Sequence, residues 1–131
     1  MNKIVFSTYG HSPALSYARN YLKSWGYSVK DCIEGSTHLL LPVPSFDESG
    51  NVKGGGPLPE LPAGLLLMGG NLQSYHGPKI DFLQDAYYLE ENAAITAHCA
   101  LNYADILPGT KVLIIGWGRI GKVLAVLLAV G

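Results

Sequence analysis

The stretch "KIVFSTYGHSPALSYARNYLKSWGYSVKD", residues 3–31, decides the fold class of this chain. Its apolar ends predict buried strands over residues 3–8 and 27–31, and the segment between them predicts an amphipathic helix. A strand, a helix and a second strand in this order indicate a parallel sheet with right-handed crossovers. The sequence therefore predicts an α/β fold from its first thirty residues or so.

The helix in this stretch has clear start and stop signals. Ser12 is a capping residue, Pro13 suits the first helical position, and Gly26 suits the left-handed residue after a helix. Four apolar residues share one face and are expected to pack on the sheet: Leu15, Ala18, Leu22 and Trp25.

Three further apolar segments predict the rest of the sheet, at residues 38–44, 64–70 and 79–83. Between the first two, residues 45–63 are rich in glycine, proline and acids, which is typical of either a functional lid or a mobile loop. Together these elements predict a small open parallel sheet of the flavodoxin-like or Rossmann-like kind. We expect residues 1–88 to form an N-terminal α/β domain on the substrate side.

A second helix is predicted over residues 89–106, as a linker between this domain and the next. Glu90 and Glu91 are expected in its first turn, where the helix dipole favours negative charge, and Pro108 is expected to end it. A stripe of mostly small residues on this helix suits close packing: Leu89, Ala93, Ala97, Ala100, Leu101 and Ala104.

Composition narrows the possible functions. The chain has 131 residues, 48% hydrophobic and 15% charged, with a net charge of -1, so it lacks the basic field that attracts nucleic acid or an anionic membrane.

Cys32 and Cys99 form no CxxC pair, which suits a reducing cytosol, and the histidines show no spacing typical of a metal site. The apolar C-terminal segment contains Arg119 and Lys122, which argues against a membrane span.

The motif that indicates chemistry is "GWGRIG", residues 116–121, after a predicted strand at 112–115 and before a predicted helix. In this G-x-G-x-x-G pattern Gly116 allows the tight turn, and Gly118 lets the backbone approach a diphosphate. Gly121 lets the helix lie close to the strand.

The helix that follows the glycines predicts where phosphates bind. N–H groups near Arg119 and Ile120 would donate to them, so these two residues join the three glycines as predicted contacts of NAD or NADP. The Arg119 side chain either adds positive charge there or is simply solvated.

The fingerprint also needs an acidic residue about 20 residues beyond the glycines to hold the ribose. That position lies past Gly131, so we expect residues 107–131 to be the truncated start of a dinucleotide-binding domain and the site to be incomplete.

Residues 79–131, with "LLLPVP" upstream, resemble the A-type subunit of dipicolinate synthase. The segment "LEENAAITAHCAL" is similar to a family helix of the type "LNAIPTAEGA", and "IIGWGRIG" is similar to a "VLGFGRTG"-type fingerprint. The stretch "LPGTKVLIIGWGRIG" is also similar to D-2-hydroxyacid dehydrogenases and adenosylhomocysteinases. Residues 38–44 and 81–101 are what favour the dipicolinate synthase family.

The resemblance implies an oxidoreductase that oxidises a dihydrodipicolinate-like precursor with NAD or NADP, in the cytoplasm of sporulating bacteria. It also implies a possible partner, the second subunit of the synthase. By position it implies that Asn92 and Thr96 contact the substrate in a cleft between two domains. His98 departs from the family pattern, which has an acidic residue there, and Ala94-Ile95 replaces its Ile-Pro. We expect this chain alone to be inactive.

Several residues keep two interpretations. Asn92 and Thr96 either face a ligand or form a solvent-facing polar stripe. Asn71 follows a strand at the usual binding edge of an open sheet, and it either contacts substrate or stabilises its own turn. His98 is either an acid–base group or, more in keeping with its lack of a carboxylate partner, a solvated side chain. Cys99 is expected to be a small core residue.

Two other functions stay open. One is a relative of the D-2-hydroxyacid dehydrogenases, and the other is a non-catalytic module for dimerisation or ligand binding. In either case residues 107–131 carry apolar faces with too few partners, so we expect them to associate with a second copy of the chain.

Overall fold

A computed structural model describes residues 3–130 of the chain, with no account of the Val130 side chain. The described residues form two compact units, and the boundary falls between Gln84 and Asp85. The first unit is an α/β sheet domain and the second contains two helices.

The first unit is built on a five-stranded, all-parallel sheet with the order β2-β1-β3-β4-β5. Its strands are β1 (Val5–Thr8), β2 (Ser28–Lys30), β3 (His38–Leu40), β4 (Leu66–Gly69) and β5 (Lys79–Asp81). This confirms the predicted α/β fold with an open parallel sheet, and the strand order is that of flavodoxin-like sheets.

Helix α1 (Pro13–Ser24) follows the predicted signals closely. The Ser12 hydroxyl accepts a hydrogen bond from the Leu15 N–H at 3.1 Å, and Gly26 has the left-handed φ of 87°. Leu15 is buried, but Trp25 is 70% exposed, so its predicted place on the packed face is wrong. The helix ends at Ser24, so Trp25 no longer continues the apolar stripe.

The core of the first unit includes residues from the long Gly/Pro-rich loop. Six fully or nearly fully buried side chains form it: Leu39, Leu41, Val52, Leu65, Leu67 and Leu72. Val52 lies in the middle of residues 45–63 and forms an antiparallel bridge with Phe46. Leu58 and Leu61, from the same loop, pack against the core. The loop is therefore part of the packed domain, because its few apolar side chains are buried with the sheet residues.

The end of β5 is joined to the β4 turn by one carboxylate. Asp81 accepts hydrogen bonds from three backbone N–H groups, those of Asn71 (3.0 Å), Leu72 (2.8 Å) and Leu83 (3.0 Å). A single side chain thus satisfies donors that precede and follow the last strand, and it fixes the left-handed Asn71 (φ 60°) in place.

The second unit begins with helix α2 (Ala86–Ala104), capped by the Asp85 side chain, which accepts from the Tyr88 N–H at 3.0 Å. The helix starts before the predicted position, so Glu90 and Glu91 do not lie in its first turn. It ends at Ala104, two residues before the predicted end at 106, and the C-cap Asp105 adopts the left-handed conformation (φ 49°).

Within the predicted stripe of small residues on α2, the buried members are Ala93 and Ala97. Leu89 and Leu101 are half-buried, and Ala100 and Ala104 are exposed. The packed face of the helix is therefore narrower than the sequence indicates.

Helix α3 (Arg119–Val130) forms where the sequence predicts it, but the strand expected over residues 112–115 does not. Residues 111–117 form neither helix, strand nor turn. A strand needs a neighbour for its backbone hydrogen bonds, and the described part of the second unit contains no strand to supply one. Over residues 3–130, no helix combines the length and the hydropathy needed to cross a membrane.

We predict that Asp81→Ala lowers the free energy of unfolding of the first unit by about 2–3 kcal/mol, because three backbone N–H groups lose a charged acceptor. Urea denaturation followed by circular dichroism measures the effect. The matched control is Asp31→Ala, which removes a carboxylate that is 90% exposed and paired with Arg19, and should cost about 1 kcal/mol or less. Equal losses in the two variants would contradict the prediction.

Candidate functional site

The three glycines of the "GWGRIG" turn differ in backbone conformation or in the space beside them. Gly116 has a φ of 98°, which side chains rarely tolerate. A Cβ on Gly121 would lie 3.0 Å from the Gly116 carbonyl oxygen and 3.4 Å from Ile114 Cγ2. A Cβ on Gly118 would have no heavy atom within 4 Å. The first glycine thus makes the turn, the third lets α3 approach the preceding segment, and the second leaves open space beside the backbone.

Backbone donors are available at the start of α3. The Gly118 carbonyl accepts from the Lys122 N–H at 3.0 Å, so the helix hydrogen bonds begin there. No described residue accepts from the N–H groups of Arg119, Ile120 and Gly121. Three free donors and the positive end of the helix dipole favour an anion beside the open space at Gly118.

Arg119 is held by an ion pair. Its Nε lies 3.1 Å from Glu90 Oε1 on α2, and both side chains are more than half exposed. An exposed pair of this kind is worth about 1 kcal/mol or less, so a strong anion could compete with Glu90 for the guanidinium. The sequence does not reveal this partner, because the two residues are 29 positions apart.

The residues of the turn fit a diphosphate. The turn offers backbone donors, an open approach at Gly118 and one nearby arginine. The arrangement therefore has the chemistry of a phosphate cradle.

Asn92 and Thr96 lie on exposed positions of α2. The Thr96 hydroxyl donates to the Asn92 carbonyl oxygen at 2.8 Å, one helical turn back. Threonine often uses its hydroxyl in this way within a helix, so this contact is structural. The Asn92 side chain has no hydrogen-bond partner among the described residues.

Asn71 belongs to the first unit and follows β4 at the carboxyl-end edge of the sheet. Its backbone N–H donates to Asp81 and its side chain is exposed. The left-handed backbone and the Asp81 contact give it a role in its own turn. Its side chain is still directed to solvent at the edge where open α/β sheets bind ligands.

The usual binding crevice of such a sheet, beyond the ends of β1 and β3, is covered by the chain itself. The His11 N–H donates to the Lys53 carbonyl oxygen at 2.9 Å, and a Cβ on Gly10 would lie 2.5 Å from the same oxygen. The Tyr9 hydroxyl accepts from the Gly56 N–H and donates to the Pro57 carbonyl oxygen, both at 3.1 Å. The Gly-rich part of the long loop therefore fills this crevice, because its glycines allow backbone to approach backbone.

The cysteines and histidines form no second site within residues 3–130. No group of three or more His, Cys, Asp or Glu residues there could hold a metal ion. His98 is exposed, as expected for a solvated side chain. Cys99 is exposed too, so its predicted place in the core is wrong. It follows the buried Ala97 by two positions, which turns it to the opposite side of the helix.

No family model, curated protein or solved structure matches this chain. The geometry of the glycine turn is therefore the observation that indicates a function.

We predict that the three glycines differ sharply in their tolerance of alanine. Gly116→Ala forces a side chain into the left-handed region and should cost about 1–2 kcal/mol of unfolding free energy. Gly121→Ala pushes a methyl group against the Gly116 carbonyl and should cost about 1–3 kcal/mol. Gly118→Ala meets no atom and should change stability by about 0.5 kcal/mol or less.

Thermal and urea unfolding of the three variants, with amide exchange in α3 as a local probe, measures these differences. A Gly118→Ala variant as unstable as Gly121→Ala would show that the turn differs from the one described.

Proposed function

We propose that the turn at residues 116–121 binds the diphosphate of NAD or NADP, and that the chain belongs to a nicotinamide-dependent oxidoreductase. The observation that carries this proposal is the combination at one turn of a left-handed Gly116, an open Gly118 and a closely packed Gly121. In a diphosphate-binding turn the first glycine allows the tight turn, the second lets the backbone approach the diphosphate, and the third lets the helix lie close to the preceding strand.

The residues of the chain have distinct roles in this proposal. The N–H groups of Arg119, Ile120 and Gly121 donate to phosphate oxygens, and the open side of Gly118 admits the diphosphate to the backbone. The Arg119 guanidinium adds positive charge once it exchanges Glu90 for a phosphate. The bound nicotinamide would supply hydride transfer.

The substrate class comes from the sequence resemblance to the A-type subunit of dipicolinate synthase. We propose a dihydrodipicolinate-like substrate that gives up a hydride to the oxidised nicotinamide and a proton to a base, acting in the cytoplasm of a sporulating bacterium. Asn71, Asn92 and Thr96 are the proposed substrate contacts. Asn92 is the best supported, because its amide is exposed and uncommitted, while the Thr96 hydroxyl is hydrogen bonded within the helix.

A relationship to D-2-hydroxyacid dehydrogenases is the second candidate, supported by the same stretch of residues 107–121. The two candidates share the diphosphate contacts and differ in the substrate. Binding titrations of the chain with dihydrodipicolinate and with a panel of D-2-hydroxy acids therefore separate them.

The cofactor proposal is tested by titrating NADH, NADPH and ADP-ribose against the chain, with adenosine as the ligand control because it lacks the diphosphate. We expect binding of the three diphosphates through the N–H groups at the start of α3, and no binding of adenosine. Equal binding of adenosine and ADP-ribose would contradict a diphosphate site.

Gly118→Val should reduce the affinity for ADP-ribose by about tenfold to a hundredfold, because a bulky side chain blocks one or two hydrogen bonds to a charged group. The space around Gly118 is empty, so the variant should keep its fold. The matched control is Gly56→Ala, whose new Cβ would lie 3.5 Å from the Tyr9 hydroxyl in ordinary contact. Unchanged binding by Gly118→Val would overturn the proposed function.

A further inference from the structure

The segment that carries the glycine turn is positively charged. Residues 107–130 have three cationic side chains, Lys111, Arg119 and Lys122, and no acidic one. Lys111 and Lys122 are exposed, and neither forms an ion pair with a described residue. The field around the turn is therefore positive, which favours an anionic ligand at the free N–H groups of α3.

Glu90 is the acidic side chain that contacts this segment. Its Oε1 lies 3.1 Å from the Arg119 Nε. Glu90 precedes the buried Ala93 by three positions and the buried Ala97 by seven, so it lies on the packed side of α2. Helices α2 and α3 pack against each other, and this packing brings Glu90 to the first residue of α3. The position of the carboxylate is thus set by helix packing.

The ion pair weakens the attraction of Arg119 for a ligand. A carboxylate in contact with a guanidinium offsets its positive charge, and it already accepts the Nε–H. Because more than half of each side chain is exposed, the pair shifts an equilibrium by about fivefold or less. Charge-assisted hydrogen bonds from arginine to phosphate are about twice as strong as neutral ones, and a diphosphate offers two charged groups. A diphosphate is therefore able to displace Glu90.

We propose that Glu90 is an internal competitor of the ligand. In the ligand-free chain its carboxylate occupies Arg119, and a diphosphate must displace it to reach the guanidinium. This inference rests on the proposed function and adds to it a residue that limits the affinity of the site. Glu90 acts through Arg119 alone, so neutralising it should strengthen binding, whereas the loss of a ligand contact weakens it.

Calorimetric titration with ADP-ribose tests the proposal in about 0.1 M salt, where the Debye length is about 10 Å. We expect Glu90→Gln to lower the Kd by about twofold to fivefold, because Arg119 is freed from an exposed ion pair. The matched control is Glu91→Gln, which removes the same charge from the next position of α2. Glu91 is exposed and pairs with no described residue, so its replacement should change the Kd by less than about 1.5-fold.

A double-mutant cycle shows whether the effect passes through Arg119. Arg119→Gln should raise the Kd by about fivefold or more, and adding Glu90→Gln to it should change the Kd by less than about 1.5-fold. An equal gain from Glu90→Gln with and without Arg119 would indicate general repulsion, and would overturn the proposal. Weaker binding by Glu90→Gln would overturn it too, since the carboxylate would then hold Arg119 in place for the ligand.

Nuclear magnetic resonance of the arginine Nε–H groups reports on the pair itself. The chain has two arginines, and Arg19, which pairs with Asp31 in the first unit, is the internal reference. Glu90→Gln and the addition of ADP-ribose should each shift the Arg119 Nε–H resonance, and Glu91→Gln should not. A resonance that ignores Glu90→Gln would show that the pair does not form in solution, which contradicts the proposal.

The inference and the proposed function fail in different ways. A chain that binds no diphosphate overturns both. Binding of ADP-ribose that is lost in Gly118→Val but is unaffected by Glu90→Gln overturns the role of Glu90 and leaves the proposed function intact.

Discussion

The complete burial of Leu39 and Leu67, on the neighbouring strands β3 and β4, is the interaction on which the first unit depends. Each such side chain contributes about 1.5–3 kcal/mol by leaving water, and because the two residues are partners in the β3–β4 register, both lie on the same face of the sheet, which must be covered. Only one α-helix is available for this within the described first unit. The long loop supplies the remaining cover, with Val52 as its fully buried side chain.

The long loop also changes where a ligand can bind. A parallel sheet usually binds ligands beyond the carboxyl ends of its central strands, at the point where the strand order reverses. Here the same loop that covers the core also lies over that point, where Lys53 and Gly56 contact the turn after β1. The free carboxyl-end surface shifts toward β4 and β5, where Asn71 is exposed and Asp81 fixes the turn.

The second unit is governed by a different constraint, the pairing of backbone groups. Residues 112–115 have the sequence of a buried strand but no strand partner within the described part of the unit, and the glycine turn that follows combines a left-handed Gly116 with a closely packed Gly121. A neighbouring strand would stabilise both, because it would fix the direction from which the chain enters the turn.

Much of the fold was predictable because the signals are local. Ser12, Pro13 and Gly26 fix the limits of α1 through backbone hydrogen bonds and a left-handed φ, which depend on nearby residues alone. The predictions for Trp25 and Cys99 were wrong for a related reason. Helical periodicity predicts a buried face only if the helix extends over all the residues concerned and a neighbouring element covers that face. The spacing of residues shows neither of these conditions. In the candidate site, likewise, the three glycines were visible in the sequence, whereas the ion pair that joins two helices was not.

The α/β class, the five parallel strands, the caps of the first helix and the glycine turn could all be predicted from the amino-acid sequence, because each follows from periodicity or from the φ that one residue can adopt. The folded chain was needed to show that the Gly/Pro-rich loop contributes to the core and covers the sheet, and that residues 111–117 lack a strand partner within the described chain. It also decided that Arg119 pairs with Glu90 and that the Thr96 hydroxyl is committed to its own helix. Burial and pairing depend on which distant segments meet, and contacts of that kind exist only once the chain has folded.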